Sequence, residues 1–235
     1  MFLFLKLYLA HLIGDFVLQF EELYRLKVRS VLGHAGHVLI HVLVSILLTQ
    51  PYWGQPVLWI FIGLLAVEHL IQDLIKYNLQ KKHPAITFPL FVVDQMIHFL
   101  AVRSVLLFSV SKLQLGFPEM PVWNLYYTEN AWTLYAIAFL WVTFGGSYLL
   151  HNFRKNYLPG SRPDHLITPL EMSHAIVERS CLAGAFLFSS SPLVWTAAAF
   201  PALLRLAHPK LRNATDLVMS LAWAALIGFL FRLWV

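Results

Sequence analysis

Eight apolar segments, separated by short polar or proline-containing breaks, make up most of this 235-residue chain. They run roughly over 2–20, 31–50, 56–79, 87–110, 130–153, 170–190, 193–207 and 213–234. A helix needs about 20 apolar residues to cross the hydrocarbon core of a bilayer, and most of these segments meet that length. The breaks fall at Pro51 to Pro56, His83-Pro84, Gly116 to Pro121, Pro159 to Pro163, Ser189 to Pro192 and His208-Pro209. The chain is 59% hydrophobic and 12% charged, where soluble domains carry about a quarter charged residues. Its longest polar stretches, about twenty residues, are too short to support a separate soluble core. The expected fold class is therefore all-α, a polytopic membrane bundle of about eight transmembrane helices. The opening MFLFLKLYLA lacks a basic start and a small-residue cleavage site, so it reads as a retained first span. The seventh segment is short and contains Pro201, which predicts a kinked or partly buried helix.

Charge in the breaks orients these spans. Arg25, Lys27 and Arg29 follow the first, and no Lys or Arg follows the second. Lys81 and Lys82 follow the third, with Lys76 just inside it, and Lys112 alone follows the fourth. Arg154, Lys155 and Arg162 follow the fifth, none follows the sixth, and Lys210 and Arg212 follow the seventh, with Arg205 nearby. Basic loops face the cytoplasm, so the alternation predicts an integral protein of the bacterial inner membrane with both termini outside. Tyr52, Trp53, Trp59, Trp123, Tyr126, Tyr127, Trp132 and Trp234 fall at outer span ends, as an aromatic belt would. The net charge of +5 sits mainly in these loops and is no nucleic-acid footprint. Cys181 is the only cysteine, which excludes an intrachain disulfide and a Cys-based zinc motif.

Against this apolar background, HLIGD (11–15), HAGHVLIH (34–41), HLIQD (69–73) and DQMIH (94–98) place polar groups one helical turn apart. An ionisable side chain at membrane depth costs several kcal/mol unless it is paired, hydrated or bound to metal. Under the topology above, at 1.5 Å per residue, all four groups lie roughly 5–15 Å beneath the cytoplasmic surface and can meet in one layer. Interhelical hydrogen bonding would explain any single pair, but four clusters of metal-binding residue types at one depth point to a metal centre. The candidate ligands are His11, Asp15, His37, His41, His69, Asp73, Asp94 and His98, with His34 at the mouth and Glu68 beside them. The donors suit a divalent metal, zinc first and iron as the other candidate. Their number allows two metals, or one metal with supporting groups around it.

At these same residues the chain resembles a family of small bacterial polytopic membrane proteins known as a domain of unknown function. HLIGDFVLQ (11–19), HVLIH (37–41), HLIQDLIK (69–76), VVDQMIH (92–98) and, more weakly, VERS (177–180) carry the resemblance. It covers the first hundred residues well and the remainder loosely. It implies a membrane protein and no particular reaction. The repeated HxxxD pattern is also faintly similar to families named as membrane-bound metal-dependent hydrolases.

The chain divides on this reading into residues 1–110, a four-helix membrane bundle carrying the metal site, and residues 111–235, four supporting helices. The second half holds a thinner polar set of His151, Glu171, His174, Glu178, Arg179, Arg205, His208 and Asp216. An Arg103–Glu178 ion pair would let both groups stay buried. Alternatively, Arg103 or Arg179 would bind a substrate headgroup. Arg154, Lys155, Arg162, Lys210 and Arg212 read first as residues that only orient the protein, with an anionic headgroup held near the cavity mouth as the alternative.

The leading functional expectation is an integral membrane metalloenzyme hydrolysing a lipid-like substrate. The metal would activate water, and Asp15, Asp73 or Asp94 would serve as general base. The same ligands would also suit two irons oxidising an acyl chain. A metal-ion or proton-coupled transporter is the third class, but the outer halves of the first four spans are largely aliphatic, and a conducting path needs polar steps on both sides.

Overall fold

The computed structural model describes residues 1–158, 167–208 and 214–233, and every regular element among them is helical. Arg162, Lys210, Arg212, Trp234 and the break at 159–163 lie outside the described residues. Two compact units are formed by Met1–Ile137 and Ala138–Val235.

In the first unit, α1 (Phe2–Leu12) continues into a π-helical turn, Ile13–Val17. Then follow α2 (Glu21–Arg29), α3 (Val31–Leu48), α4 (Pro56–Lys82), α5 (Thr87–Arg103), α6 (Pro121–Thr128) and α7 (Asn130–Leu140). Helix α1 packs on α3 and α5, and α4 packs on both of these, so the four helices close a ring. A helix that is apolar all round belongs in a core. Accordingly α1 buries Phe2, Leu3, Phe4, Leu5, Leu7, Tyr8, Ala10 and Leu12. The other three helices are inverted relative to a soluble bundle. Leu39, Leu43 and Leu47 on α3, Ile60, Leu64, Val67, Ile71 and Ile75 on α4, and Val93, Met96 and Leu100 on α5 are exposed. Their spacing traces one stripe per helix, while His37, His41, His69, Asp73, Asp94 and His98 face inward. Each such apolar side chain gains about 1.5–3 kcal/mol on leaving water, and with the interior already polar, the gain requires lipid outside.

Five helical stretches are long and apolar enough to cross a membrane: Val31–Leu48, Pro56–Lys82, Pro84–Leu107, Asn130–Tyr157 and Thr215–Arg232. A sixth appears if Phe2–Val17 and Glu22–Arg29, bent by 89°, count as one broken span. This is fewer than the eight expected from hydropathy, for local reasons. In the second unit α9 (Pro169–Phe188) has the length but carries Glu171, Glu178 and Arg179. The segment after it breaks at Ala199, just before Pro201, into α10 (Pro192–Ala198) and α11 (Phe200–Ala207).

Residues 111–137, expected in the second half, pack with the first unit instead. Tyr52 donates to the Leu113 carbonyl (2.8 Å), Tyr127 to the Leu48 carbonyl (2.7 Å), and Lys6 Nζ to Thr133 Oγ1 (2.7 Å). Burial pushes the Tyr52 and Tyr127 phenols above their ordinary pKa. These two tyrosines therefore clamp the fold, whereas Trp53, Trp59, Trp123, Tyr126 and Trp132 are exposed in the manner of a belt.

The second unit continues α7 through a π-helical turn, Trp141–Gly145, into α8 (Gly146–Tyr157), followed by α9, α10, α11 and α12 (Ala214–Arg232). Thr168 and Glu171 form a capping box that starts α9. Val142, Leu182, Ala183, Ala224 and Ile227 form its core. Gly228 permits close approach of α12 to α9, since a Cβ there would lie 2.8 Å from the Ala183 carbonyl oxygen.

Candidate metal centre

The ring of α1, α3, α4 and α5 gathers the polar groups of all four helices at one level. Asp15 sits on the π-helical turn that ends α1, a distortion that recurs at functional sites. The wider turn and the missing side chain of Gly14 let His41 come close, since a Cβ on Gly14 would lie 2.6 Å from His41 Cε1. Helix α3 is started by Ser30, whose Oγ accepts from the Gly33 amide at 3.1 Å. It then delivers His37 and His41 one turn apart on its inner face. Helix α4 contributes His69 and Asp73, and α5 contributes Asp94 and His98.

Asp15 Oδ1 lies 3.2 Å from His37 Nε2 and 3.2 Å from His41 Nε2, and these two nitrogens are 3.2 Å from each other. The three atoms form an equilateral triangle. His69 Nε2 lies 3.8 Å from Asp15 Oδ1, and the four residues bring donor atoms within 4.8 Å of one another. Ligand atoms placed tetrahedrally 2.0–2.1 Å from a central ion are separated by about 3.3–3.4 Å, so the triangle has the spacing of three such ligands, with His69 somewhat farther from Asp15. His69 Nε2 is buried and has no hydrogen-bond partner, a situation that ordinarily costs about 1–3 kcal/mol. Asp15 Oδ2 accepts from Gln95 Nε2 at 2.9 Å and lies 3.4 Å from His11 Nε2. Both contacts fix the carboxylate's orientation, as outer groups do for metal ligands.

Two further groups continue from the first, the second sharing His69 with it and the third sharing His98 with the second. His11, His69 and His98 bring one donor each within 4.8 Å of one another, as do Asp73, Asp94 and His98. The buried His and Asp groups can therefore hold a metal ion. His34 is set apart, with Nδ1 3.2 Å from the Ser30 carbonyl and its ring beside Tyr77.

Several participants were not singled out as site residues by the sequence. Lys27 Nζ on α2 lies 2.6 Å from Asp73 Oδ2, and Lys76 Nζ lies 2.5 Å from Asp94 Oδ2. Gln72 donates to the Asp94 carbonyl at 2.9 Å. Glu68, which the sequence placed beside the ligands, has Oε2 3.6 Å from His98 Nδ1 and, among the described residues, is the only carboxylate bordering a cavity lined also by His11, His41, His69, His98, Ser45 and Val102. Signals existed for Lys76, three residues after Asp73 on the same face, and for Gln95, beside Asp94. Lys27 gave none, because it reads as an ordinary loop cation.

Arg103 and Arg179 complete the expected site residues. Arg103 is exposed at the end of α5. Arg179 is buried in the second unit, where Nε donates to Ser220 Oγ (2.7 Å) and Nη1 to Ser147 Oγ and the Thr143 carbonyl (3.0 Å each). Glu178, expected to pair with Arg103, has partners within its own unit. Glu178 is met by Arg205 Nε at 3.0 Å and lies 3.3 Å from His174 Nδ1, because α11 and α9 pack within one unit.

Comparison with curated proteins and with solved structures gives no match, and nothing found supports the likeness to metal-dependent hydrolases. A protein-family model matches residues 3–123, more than half of the chain and the segment that carries the whole His/Asp cluster. The chain belongs to the family described as Protein of unknown function (DUF3307).

Proposed function

We propose that this protein is an integral membrane metalloenzyme that hydrolyses a lipid-like substrate at a zinc ion held by Asp15, His37, His41 and His69. The observation that carries the reading is the equilateral triangle of Asp15 Oδ1, His37 Nε2 and His41 Nε2, completed by the unpartnered His69 Nε2. Three nitrogens and one carboxylate oxygen form a borderline donor set suited to zinc. A divalent ion there would supply Lewis acidity, and since the four side chains would fill a tetrahedral site, water would reach it as a fifth ligand or in place of one of them and become reactive near neutral pH. Gln95 and His11 hold Asp15 in place. The cavity beside the cluster has room for a few waters, and its remaining lining, including Leu7, Ile62, Leu65 and Val102, is aliphatic. That lining favours a small apolar group next to the reacting atom, with the rest of a lipid chain outside this cavity. Asp73 and Asp94 are engaged by lysines, so Glu68, which borders the cavity, takes the role of general base.

The setting we propose is the bacterial inner membrane, with both termini outside. The alternating basic loops support it, with Lys81 and Lys82 just beyond the cluster on α4 marking the cytoplasmic side. Purified protein incubated with an extract of bacterial membrane lipids should release a free acid or headgroup when zinc is present. Release should stop on chelation and in Asp15→Asn and Glu68→Gln. Equal release by Asp15→Asn and the unaltered protein would reject the hydrolytic reading.

A further inference from the structure

We infer that the cluster takes one divalent cation per chain, because Lys27 and Lys76 occupy the place of a second. The inference rests on the metal-centre reading and decides between its one-ion and two-ion forms. The donors fall into two halves. Asp15, His37, His41 and His69 make the first, and Asp73, Asp94 and His98 make the second, each with donor atoms within 4.8 Å of one another. His98 Nε2 is buried, points into the second half and has no hydrogen-bond partner. By donor chemistry alone the second half would hold an ion as well.

Charge separates the halves. Asp73 is met by the Lys27 ammonium at 2.6 Å and Asp94 by the Lys76 ammonium at 2.5 Å. In the first half the only carboxylate is Asp15, and no ammonium or guanidinium is paired with it among the described residues. In the second half each of Asp73 and Asp94 is balanced by an ammonium, whereas Asp15 stands among imidazoles that must be neutral to ligate and keeps its negative charge for an ion. A second ion, placed in the lysine-paired half, would add two positive charges with no free carboxylate of that half to meet them, in a region walled by α1, α3, α4 and α5, where unbalanced charge is strongly disfavoured.

The two lysines arrive by different routes. Lys76 comes from α4 itself. Lys27 comes from α2, which Gly33 allows to lie against α3, since a Cβ there would be 2.2 Å from the Leu26 carbonyl carbon. The Lys27 ammonium is held further by Gln19 Oε1 at 3.1 Å. An ammonium fixed in this way is a permanent cation that no chelator removes. A one-ion centre also disfavours oxidation of an acyl chain by two irons, leaving hydrolysis as the better-supported chemistry.

The test is metal stoichiometry by elemental analysis of the full chain in mild detergent, loaded with zinc and desalted. The unaltered protein should hold one equivalent, and Lys27→Gln/Lys76→Gln should rise to two by opening the Asp73–Asp94–His98 half. Lys27→Gln/Asp73→Asn removes one charge of each sign and should remain at one, which separates charge balance from loss of fold. Two equivalents in the unaltered protein, or one in the double lysine variant, would overturn the inference while leaving the metal centre intact. No bound zinc in the unaltered protein would overturn both.

Discussion

Gly14→Ala adds one methyl group at the point where α1 passes closest to the candidate metal ligands. The new Cβ would stand 2.6 Å from His41 Cε1 and 2.7 Å from each of its ring nitrogens. Comfortable carbon contacts begin near 3.5 Å, so the ring must retreat by about 1 Å. Metal–ligand distances tolerate only about ±0.2 Å, and His41 would drop out of the triangle it forms with Asp15 and His37. Disturbing groups behind a metal ligand typically costs about 10–100-fold in affinity, and displacing a ligand outright should cost about 100-fold or more. The overpacking adds about 1–3 kcal/mol of destabilisation. Competition against a chromophoric chelator measures the affinity directly. Gly63→Ala is the control, because a Cβ there meets nothing within 4 Å. If Gly14→Ala bound zinc within threefold of the unaltered protein, His41 would not be a ligand.

Other parts of the structure make separate demands. His34→Ala should leave metal content unchanged by elemental analysis, since that ring faces Ser30 and Tyr77 rather than the triangle. Ser30→Ala removes the cap of α3 and should cost about 0.5–2 kcal/mol, read as a lowered thermal midpoint in detergent. Arg179→Met removes the donor to Ser220 Oγ, at about 1–3 kcal/mol for a group left unsatisfied, while Ser147 Oγ and the Thr143 carbonyl keep their bond to each other. It should lower the midpoint yet keep metal binding, because the cluster lies in the other unit. With Cys181 replaced, single cysteines at Lys81 and Lys155 should react with impermeant reagents only from the cytoplasmic side, and outside labelling of both would reverse the orientation.

The grouping of polar residues was legible because helical periodicity survives in an apolar background. HLIGD, HVLIH, HLIQD and DQMIH each placed two side chains on one face, and the ring of α1, α3, α4 and α5 turns those faces toward one another. What sequence could not supply was the partner of each charge. Lys27 and Lys76 read as orienting cations, because a loop lysine and an ion-paired lysine look alike until the carboxylate opposite is known. Glu178 met the same difficulty, since Arg205 and Arg103 are both plausible by composition and only the packing of α11 on α9 selects Arg205. Span counting failed where hydropathy and helix continuity diverge, as at Ala199 and Pro201 and along the charged face of α9. Tyr52 and Tyr127 show the same limit, for a tyrosine at a span end serves a belt or a buried clamp equally well until its hydroxyl finds an acceptor.

X-ray absorption at the zinc edge of the metal-loaded full chain tests the four-donor centre most directly. The account predicts a first shell of four nitrogen or oxygen donors at about 2.0–2.1 Å, with the outer-shell scattering of three imidazoles, reduced to two in His69→Ala. A spectrum showing a fully hydrated ion, or imidazole scattering unchanged in His69→Ala, would contradict it.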